Sequence, residues 1–82
     1  MNKVKLLFFA TLKDLAGTRH SELDLEPGMD VATLKSRLPE HFPKLQPAMS
    51  SVLVSINREF AFDQDEIPEG AEIAFFPPVS GG

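Results

Sequence analysis

Residues 72–82 read Glu-Ile-Ala-Phe-Phe-Pro-Pro-Val-Ser-Gly-Gly and close the sequence. The apolar run before Pro77 has the length and composition of a buried β-strand. A proline cannot donate to a sheet ladder and biases the preceding residue towards an extended backbone, so pairing should stop at Phe76. We therefore expect a strand over 72–76 that runs into an extended tail over 76–82. From Pro77 to Gly82 this tail would reach roughly 20 Å, at ~3.3 Å per residue.

The tail ends on two glycines. Because Gly81 and Gly82 have no side chains, a narrow channel would admit them and bring the main-chain carboxylate of Gly82 to a reactive centre. The alternative is an ordinary frayed terminus, which is the common state of last residues. The functional interpretation therefore depends on whether the preceding residues form a compact platform for the tail.

Length and composition narrow the classes of protein. Eighty-two residues form one domain, 1–82, and the chain contains no cysteine, which excludes disulfides, thiolate metal sites and a cysteine nucleophile. A net charge of −4 argues against nucleic-acid binding. No apolar run approaches the ~18 residues of a membrane span, and no signal-peptide pattern follows Met1. We expect a small acidic protein of the cytoplasm that binds neither nucleic acid nor membrane.

The first part of the chain predicts a strand, a short helix and a second strand. Residues 4–10 form a short apolar run with poor alternation, which predicts a central strand buried on both faces. A capping-box spacing at Thr11 and a stop at Gly17 predict one or two helical turns over 12–16. Residues 20–26 alternate charged and apolar side chains, as in a half-exposed edge strand.

The main helix follows a turn. Pro27 and Gly28 suit the second and third positions of a type II turn. Asp30 is a good N-cap, and apolar residues recur at helical spacing over 31–41. Pro39 lies within this pattern, so the helix is expected to end or kink near Leu38.

The second half of the chain predicts the remaining strands. A loop with a short turn of helix is expected over 43–51, and β-branched residues predict a strand over 52–56. Asn57, which tolerates the left-handed conformation, begins a short connection to a strand over 60–62. The order β, α, β, α, β, β, β predicts an α+β domain with one sheet on one main helix. Pairing of the first and last strands as parallel neighbours would start the tail from the centre of the sheet.

Residues with catalytic potential are sparse. His20 and His41 stand in no ligand-spaced pattern and are interpreted as surface residues. Asp63, Asp65 and Glu66 lack the spacing of a calcium loop, so we expect a solvated acidic turn or an acidic docking patch. We predict no metal site, no bound cofactor and no catalysis by this chain alone. The Gly82 carboxylate is its one unusual reactive group, and adenylation would make it open to attack by sulfur.

Four stretches together resemble the MoaD/ThiS family of ubiquitin-like sulfur carriers, in particular the small subunits of molybdopterin synthase. They are the run 72–82, the strand 4–10, the tripeptide 15–17 and Asn57, and they fall in the family's order over essentially the whole chain. Terminal Gly-Gly alone is shared with thiamine-pathway carriers and ubiquitin. The run Phe-Phe-Pro-Pro-Val-x-Gly-Gly is more specific. The resemblance implies a ubiquitin-like β-grasp fold, with a mixed sheet of about five strands on one main helix and a flexible tail.

The resemblance also implies a reaction cycle and its partners. An E1-like enzyme of the MoeB type would use ATP and Mg²⁺ to adenylate Gly82, and a sulfur donor protein would supply the sulfur of a thiocarboxylate. The carrier would then dock on the large subunit, MoaE, which holds the catalytic side chains, in a heterotetramer. There it would give sulfur to cyclic pyranopterin monophosphate and build the dithiolene of molybdopterin, in molybdenum cofactor biosynthesis.

Site residues follow from positions in the family's pattern. Gly82 would carry the sulfur and Gly81 would give clearance in the partner's site. The rest of the implied tail comprises Pro77, Pro78, Val79 and Ser80. Phe9, Phe60 and Phe76 are candidates for an apolar docking surface, with core packing as the alternative role. Two other functions stay open: a carrier of another pathway, such as a ThiS-like carrier for thiamine, or a ubiquitin-like interaction module whose tail is inert.

Overall fold

A computed structural model describes residues 1–78 of the chain, and residues 79–82 lie outside the described part. The elements follow the predicted order. They are β1 Asn2–Phe8, α1 Thr11–Ala16, β2 His20–Leu25, α2 Val31–His41, a 3₁₀ helix Pro43–Ala48, β3 Leu53–Ile56, β4 Glu59–Ala61 and β5 Glu72–Phe76. No helix within residues 1–78 is long and apolar enough to cross a membrane.

The strands form one mixed five-stranded sheet in the order β2-β1-β5-β3-β4. β1 and β5 are parallel neighbours, with Phe8 opposite Phe75, and the other neighbouring pairs are antiparallel. This is the pairing that would start the tail from the centre of the sheet. The strand that leads into the tail is held by a neighbour on each side.

One face of the sheet packs on α2 and forms the core. Val31, Leu34 and Leu38 recur at helical spacing and are each at most 1% exposed. They join the buried strand residues in one cluster, which includes Val4, Leu6, Phe8, Val54, Ile73 and Phe75. The predicted α+β architecture of one sheet on one main helix is confirmed.

The prediction that β1 is buried on both faces is wrong. Its side chains alternate: Val4 and Leu6 are buried, whereas Lys3 and Lys5 are exposed and Leu7 is half-buried. Helices cover only one face of the sheet, so every second residue of β1 points away from the core. We call this other side the outer face.

The sequence predicts that α2 ends or kinks near Leu38. The helix does not end there, because it continues through Pro39 to His41. This part of the prediction is wrong. Proline lacks one backbone donor, so in the last turn of a helix it removes a single hydrogen bond. The next bond survives, since the N–H of Phe42 donates to the carbonyl of Leu38 at 3.0 Å. At the other end Asp30 is the N-cap, as predicted, and accepts from the Thr33 N–H at 2.8 Å.

The prediction of a capping box at Thr11, at the start of α1, is also wrong. Thr11 is the first helical residue rather than the cap, and the cap position is occupied by Ala10, which makes no side-chain hydrogen bond. The expected capping box is therefore absent. Gly17 ends the helix as predicted, in the left-handed conformation, with its N–H donating to the Lys13 carbonyl at 2.9 Å.

Candidate functional site

The outer face of the sheet carries an apolar groove of about 430 Å³ next to the end of β5. Its lining residues come from four strands, the β3–β4 turn and the residue that follows β1. They are Leu7, Phe9, Ser55, Arg58, Phe60, Glu72, Ala74 and Phe76. The three phenylalanines that the family resemblance implies for docking, which lie far apart in the sequence, thus line one groove.

Strand register explains why these residues meet. Leu7 lies opposite Ala74, Ala74 lies opposite Ser55, and Ser55 lies opposite Phe60. Side chains in one such row stand side by side on the same face. Ala74 and Ser55 are small and only 7% exposed, whereas Phe60 is 73% exposed. The small residues form the floor of the groove, and Phe60 forms one wall.

Phe9 and Phe76 form the opposite wall, beside the tail. Their rings are stacked, with centroids 4.7 Å apart and planes 8° from parallel. Phe9 is 41% exposed and Phe76 is half-buried. None of the three phenylalanines Phe9, Phe60 and Phe76 belongs to the buried cluster, so core packing is not their role. Exposed aromatic rings gathered on one surface are typical of a protein interface.

The β3–β4 hairpin forms the charged end of the groove. Asn57 and Arg58 both have positive φ, 51° and 72°, as the two central residues of a type I′ turn require. Asn57 ties this turn to β5, because its side-chain oxygen accepts from the Glu72 N–H at 2.9 Å and its own N–H donates to the Glu72 carbonyl at 2.8 Å. Arg58 extends into solvent, 3.9 Å from Glu72, in an exposed ion pair of little energetic weight.

The tail begins at this groove. β5 ends at Phe76 as predicted, Pro77 is half-buried and Pro78 is exposed. The remaining predicted tail sites, Val79, Ser80, Gly81 and Gly82, lie outside the described residues, and their roles stay predictions.

A family model described as the ThiS family matches residues 6–82. The chain belongs to the ThiS family. The molybdopterin synthase sulfur carrier subunit of Caenorhabditis elegans is 31% identical to it over 84 residues that cover all of both chains.

Solved structures show the same fold. SAMP1 from Haloferax volcanii superposes with a TM-score of 0.83 at 28% identity, over 98% of this chain and 99% of the other. The complex of subunits 1 and 2 of the molybdopterin-converting factor from Helicobacter pylori matches at 0.68 and 17% identity, over 98% and 99%. A ubiquitin from Caldiarchaeum subterraneum matches at 0.65 and 13%, over 99% and 98%. The last two, being so distant, establish the fold alone, and the predicted ubiquitin-like β-grasp is confirmed.

Five groove residues of this ThiS-family chain were not predicted as site residues from the sequence: Leu7, Ser55, Arg58, Glu72 and Ala74. Leu7 is the outward residue that spoils the alternation of β1, and that irregularity was the available signal. Arg58 gave no signal, because an arginine in a polar turn is ordinary.

The acidic turn has a structural role. Its backbone carbonyls at Asp63 and Asp65 accept from the N–H groups of Ala32 and Val31 at 3.0 Å, where α2 begins. The Asp63 carboxylate also pairs with Lys35 at 2.7 Å. Within residues 1–78 no three acidic or histidine side chains converge as metal ligands.

Proposed function

We propose that this chain is the sulfur carrier subunit of a molybdopterin synthase. Its relatives of the same length are named as that subunit. The observation that carries the proposal is structural: Phe9, Phe60 and Phe76 line one groove at the point where the chain leaves the sheet towards Gly82. A partner that covers this groove would lie beside the start of the tail.

The chemistry of the carrier resides in its main chain. A carboxylate resists attack because of its charge and resonance, and joining the Gly82 carboxylate to AMP supplies a leaving group. A sulfur nucleophile then attacks the carbonyl carbon and displaces AMP, which leaves with one of the carboxylate oxygens, and the chain ends in a thiocarboxylate. The absence of side chains at Gly81 and Gly82 suits both steps, since each requires the chain end to enter an enclosed site.

The partners divide this work. The adenylating step uses ATP and Mg²⁺ held by an E1-like enzyme of the MoeB type, and a sulfur donor protein supplies the sulfur. A large subunit of the MoaE type then positions cyclic pyranopterin monophosphate against the thiocarboxylate and contributes the catalytic side chains. The name "subunit" among the relatives and the two-subunit complex from Helicobacter pylori support such a partner. We expect a heterotetramer of two carriers and two large subunits in the cytoplasm.

A second candidate function comes from the likeness to SAMP1, the small archaeal modifier protein 1 of Haloferax volcanii. The chain would then be a ubiquitin-like modifier, whose activated C-terminus is joined to a lysine. Both functions begin with adenylation, so they differ only in what accepts the activated end. The thiamine-pathway carrier differs in the same way.

Reconstitution distinguishes these functions. The thiocarboxylated chain is mixed with a MoaE-type large subunit and cyclic pyranopterin monophosphate, and product is measured as the fluorescent oxidised pterin. We expect molybdopterin in proportion to the carrier added, and none with the chain that lacks Gly82. Failure with an active large subunit, together with sulfur transfer to a thiazole synthase or attachment to lysines, would refute the proposal.

A further inference from the structure

The rings of Phe9 and Phe76 are stacked at the point where β5 ends and the tail begins. Phe76 is the last residue of β5, and Phe9 comes one residue after the end of the parallel neighbour β1. The N–H of Phe9 donates to the carbonyl of Phe75 at 3.1 Å. The backbones that carry the two rings are therefore joined directly. The ring of Phe9 covers one face of the Phe76 ring, and Pro77 follows Phe76 directly in the sequence.

The backbone around Phe9 is fixed by a strained turn. Ala10 has φ 53° and ψ −131°, a region that residues other than glycine rarely adopt. The first turn of α1 holds this strained turn in place, because the N–H groups of Leu12 and Lys13 donate to the carbonyls of Phe9 and Ala10 at 3.1 Å. Leu12 itself is 1% exposed and anchors α1 in the core. Strain of this kind persists only where the surroundings impose it, and here it sets the place of Phe9.

We infer that Phe9 is a positioning residue for the tail: by stacking on Phe76 it fixes the direction in which Pro77 and Pro78 leave the sheet. A stacked ring restricts the rotation of Phe76, and the prolines, whose φ is locked near −65°, carry that direction forward. This inference rests on the proposed function, in which the C-terminus must reach a reacting centre once the carrier has docked. Orientation of reacting groups is worth large factors in rate.

Phe60 provides the contrast within the same groove. It is 73% exposed, lies on the wall away from the tail, and makes no ring stack within residues 1–78. A contact residue of this kind contributes to binding of the partner. Loss of Phe60 should therefore raise KM, whereas loss of the Phe9 ring should lower kcat.

The first test uses the free chain and needs no enzyme. Because the sequence contains no cysteine, Ser51→Cys allows a single spin label close to β3, whose Leu53 lies opposite Phe76. Paramagnetic broadening of the Gly81 and Gly82 amide signals is compared in the parent, Phe9→Leu, Phe9→Tyr and Phe60→Leu. We expect Phe9→Leu to change the broadening and the other two to match the parent. Equal broadening in all four would overturn the inference, even if the chain proves to be a sulfur carrier.

The second test measures adenylation by the activating enzyme, with pyrophosphate exchange as the readout. We expect Phe9→Leu to lower kcat by about tenfold with KM within about twofold, Phe9→Tyr to restore kcat, and Phe60→Leu to raise KM alone. A rise in KM alone for Phe9→Leu would make Phe9 an ordinary docking residue and overturn the inference. Failure of the wild-type chain to be adenylated at all would refute the proposed function, and the spin-label comparison would still decide whether Phe9 positions the tail.

Discussion

Phe8 and Phe75 lie side by side on parallel strands with their rings 5.4 Å apart and 17° from parallel, and both are buried in the core. The residues that follow them, Phe9 just past the end of β1 and Phe76 at the end of β5, stack on the outer face with ring centroids 4.7 Å apart. Two successive aromatic pairs thus join β1 and β5 on opposite sides of the sheet. The strand that leads into the tail is fixed from above and below.

Substitution of these rings should have very different effects on stability. Phe75→Ala leaves a cavity in the core, and we expect it to lower the free energy of unfolding by about 3–5 kcal/mol. Phe76→Ala removes a half-buried ring from the outer face and should cost less than about 1.5 kcal/mol. Urea denaturation monitored by circular dichroism measures both. Equal losses would contradict the assignment of the two rings to opposite faces.

Asn2 should contribute to stability despite its place near the chain start. Its side chain is 6% exposed, donates to the Pro68 carbonyl at 3.0 Å and accepts from the Gly70 N–H at 2.7 Å. Asn2→Ala leaves both partners without this bond, so we expect a loss of about 1–3 kcal/mol in the free energy of unfolding. Lys3→Ala, at the exposed neighbouring position, is the control and should be nearly neutral. An equally small effect of both substitutions would show that the two hydrogen bonds from Asn2 to the turn before β5 do not stabilise the fold.

Phe60 and Phe62 form a matched pair for the docking surface. Both are largely exposed, at 73% and 66%. Phe60 lines the outer-face groove as well as a groove beside α2, whereas Phe62 lines the groove beside α2 alone. We expect Phe60→Ala to weaken binding of the large subunit by about tenfold or more, because interface aromatics carry much of the binding energy. Phe62→Ala should change affinity by less than about twofold. Calorimetric titration measures both, and a larger effect at Phe62 would place the interface on the other groove.

Asp30 should make stability depend on acid pH. Hydrogen bonds from Thr33, first from its side chain and then from its N–H, hold the pKa of Asp30 below the ordinary 3.8. The ionised cap therefore stabilises the folded chain above pH 3.8, and this contribution is lost as the pH falls through the lowered pKa. Asp30→Asn keeps an acceptor at every pH, so its unfolding free energy should fall less steeply below pH 3.8. Parallel curves for the two proteins would exclude this role for Asp30.

The sequence predicted most of this fold because its strongest signals are local. The proline after Phe76 ends β5, Gly17 ends α1, and the apolar spacing in residues 31–41 defines α2. The family resemblance supplied the β-grasp fold with a mixed sheet of about five strands, whereas the order of the strands in the sheet was known only from the structure.

The errors arose where the fold outweighs local preference. Pro39 disfavours a helix, but in the last turn it costs only one hydrogen bond, and the buried Leu38 before it holds the helix in place. Thr11 is a residue type that favours the N-cap position, but with the strained turn at Ala10 the helix begins one residue earlier and Thr11 lies inside it. Leu7 and Phe9 spoil the alternation of β1 because they serve the outer face. Apolar residues at these two positions suggested a strand buried on both faces, but they line the groove instead.

The most direct test of the proposed function is the intact mass of the chain after incubation with ATP, Mg²⁺, a MoeB-type activating enzyme and a sulfur source. We expect a gain in mass equal to the replacement of one oxygen by sulfur, absent from the chain that lacks Gly82. An unchanged mass, with an activating enzyme that modifies its own carrier under the same conditions, would contradict the sulfur-carrier function and leave the ubiquitin-like interaction module as the better account.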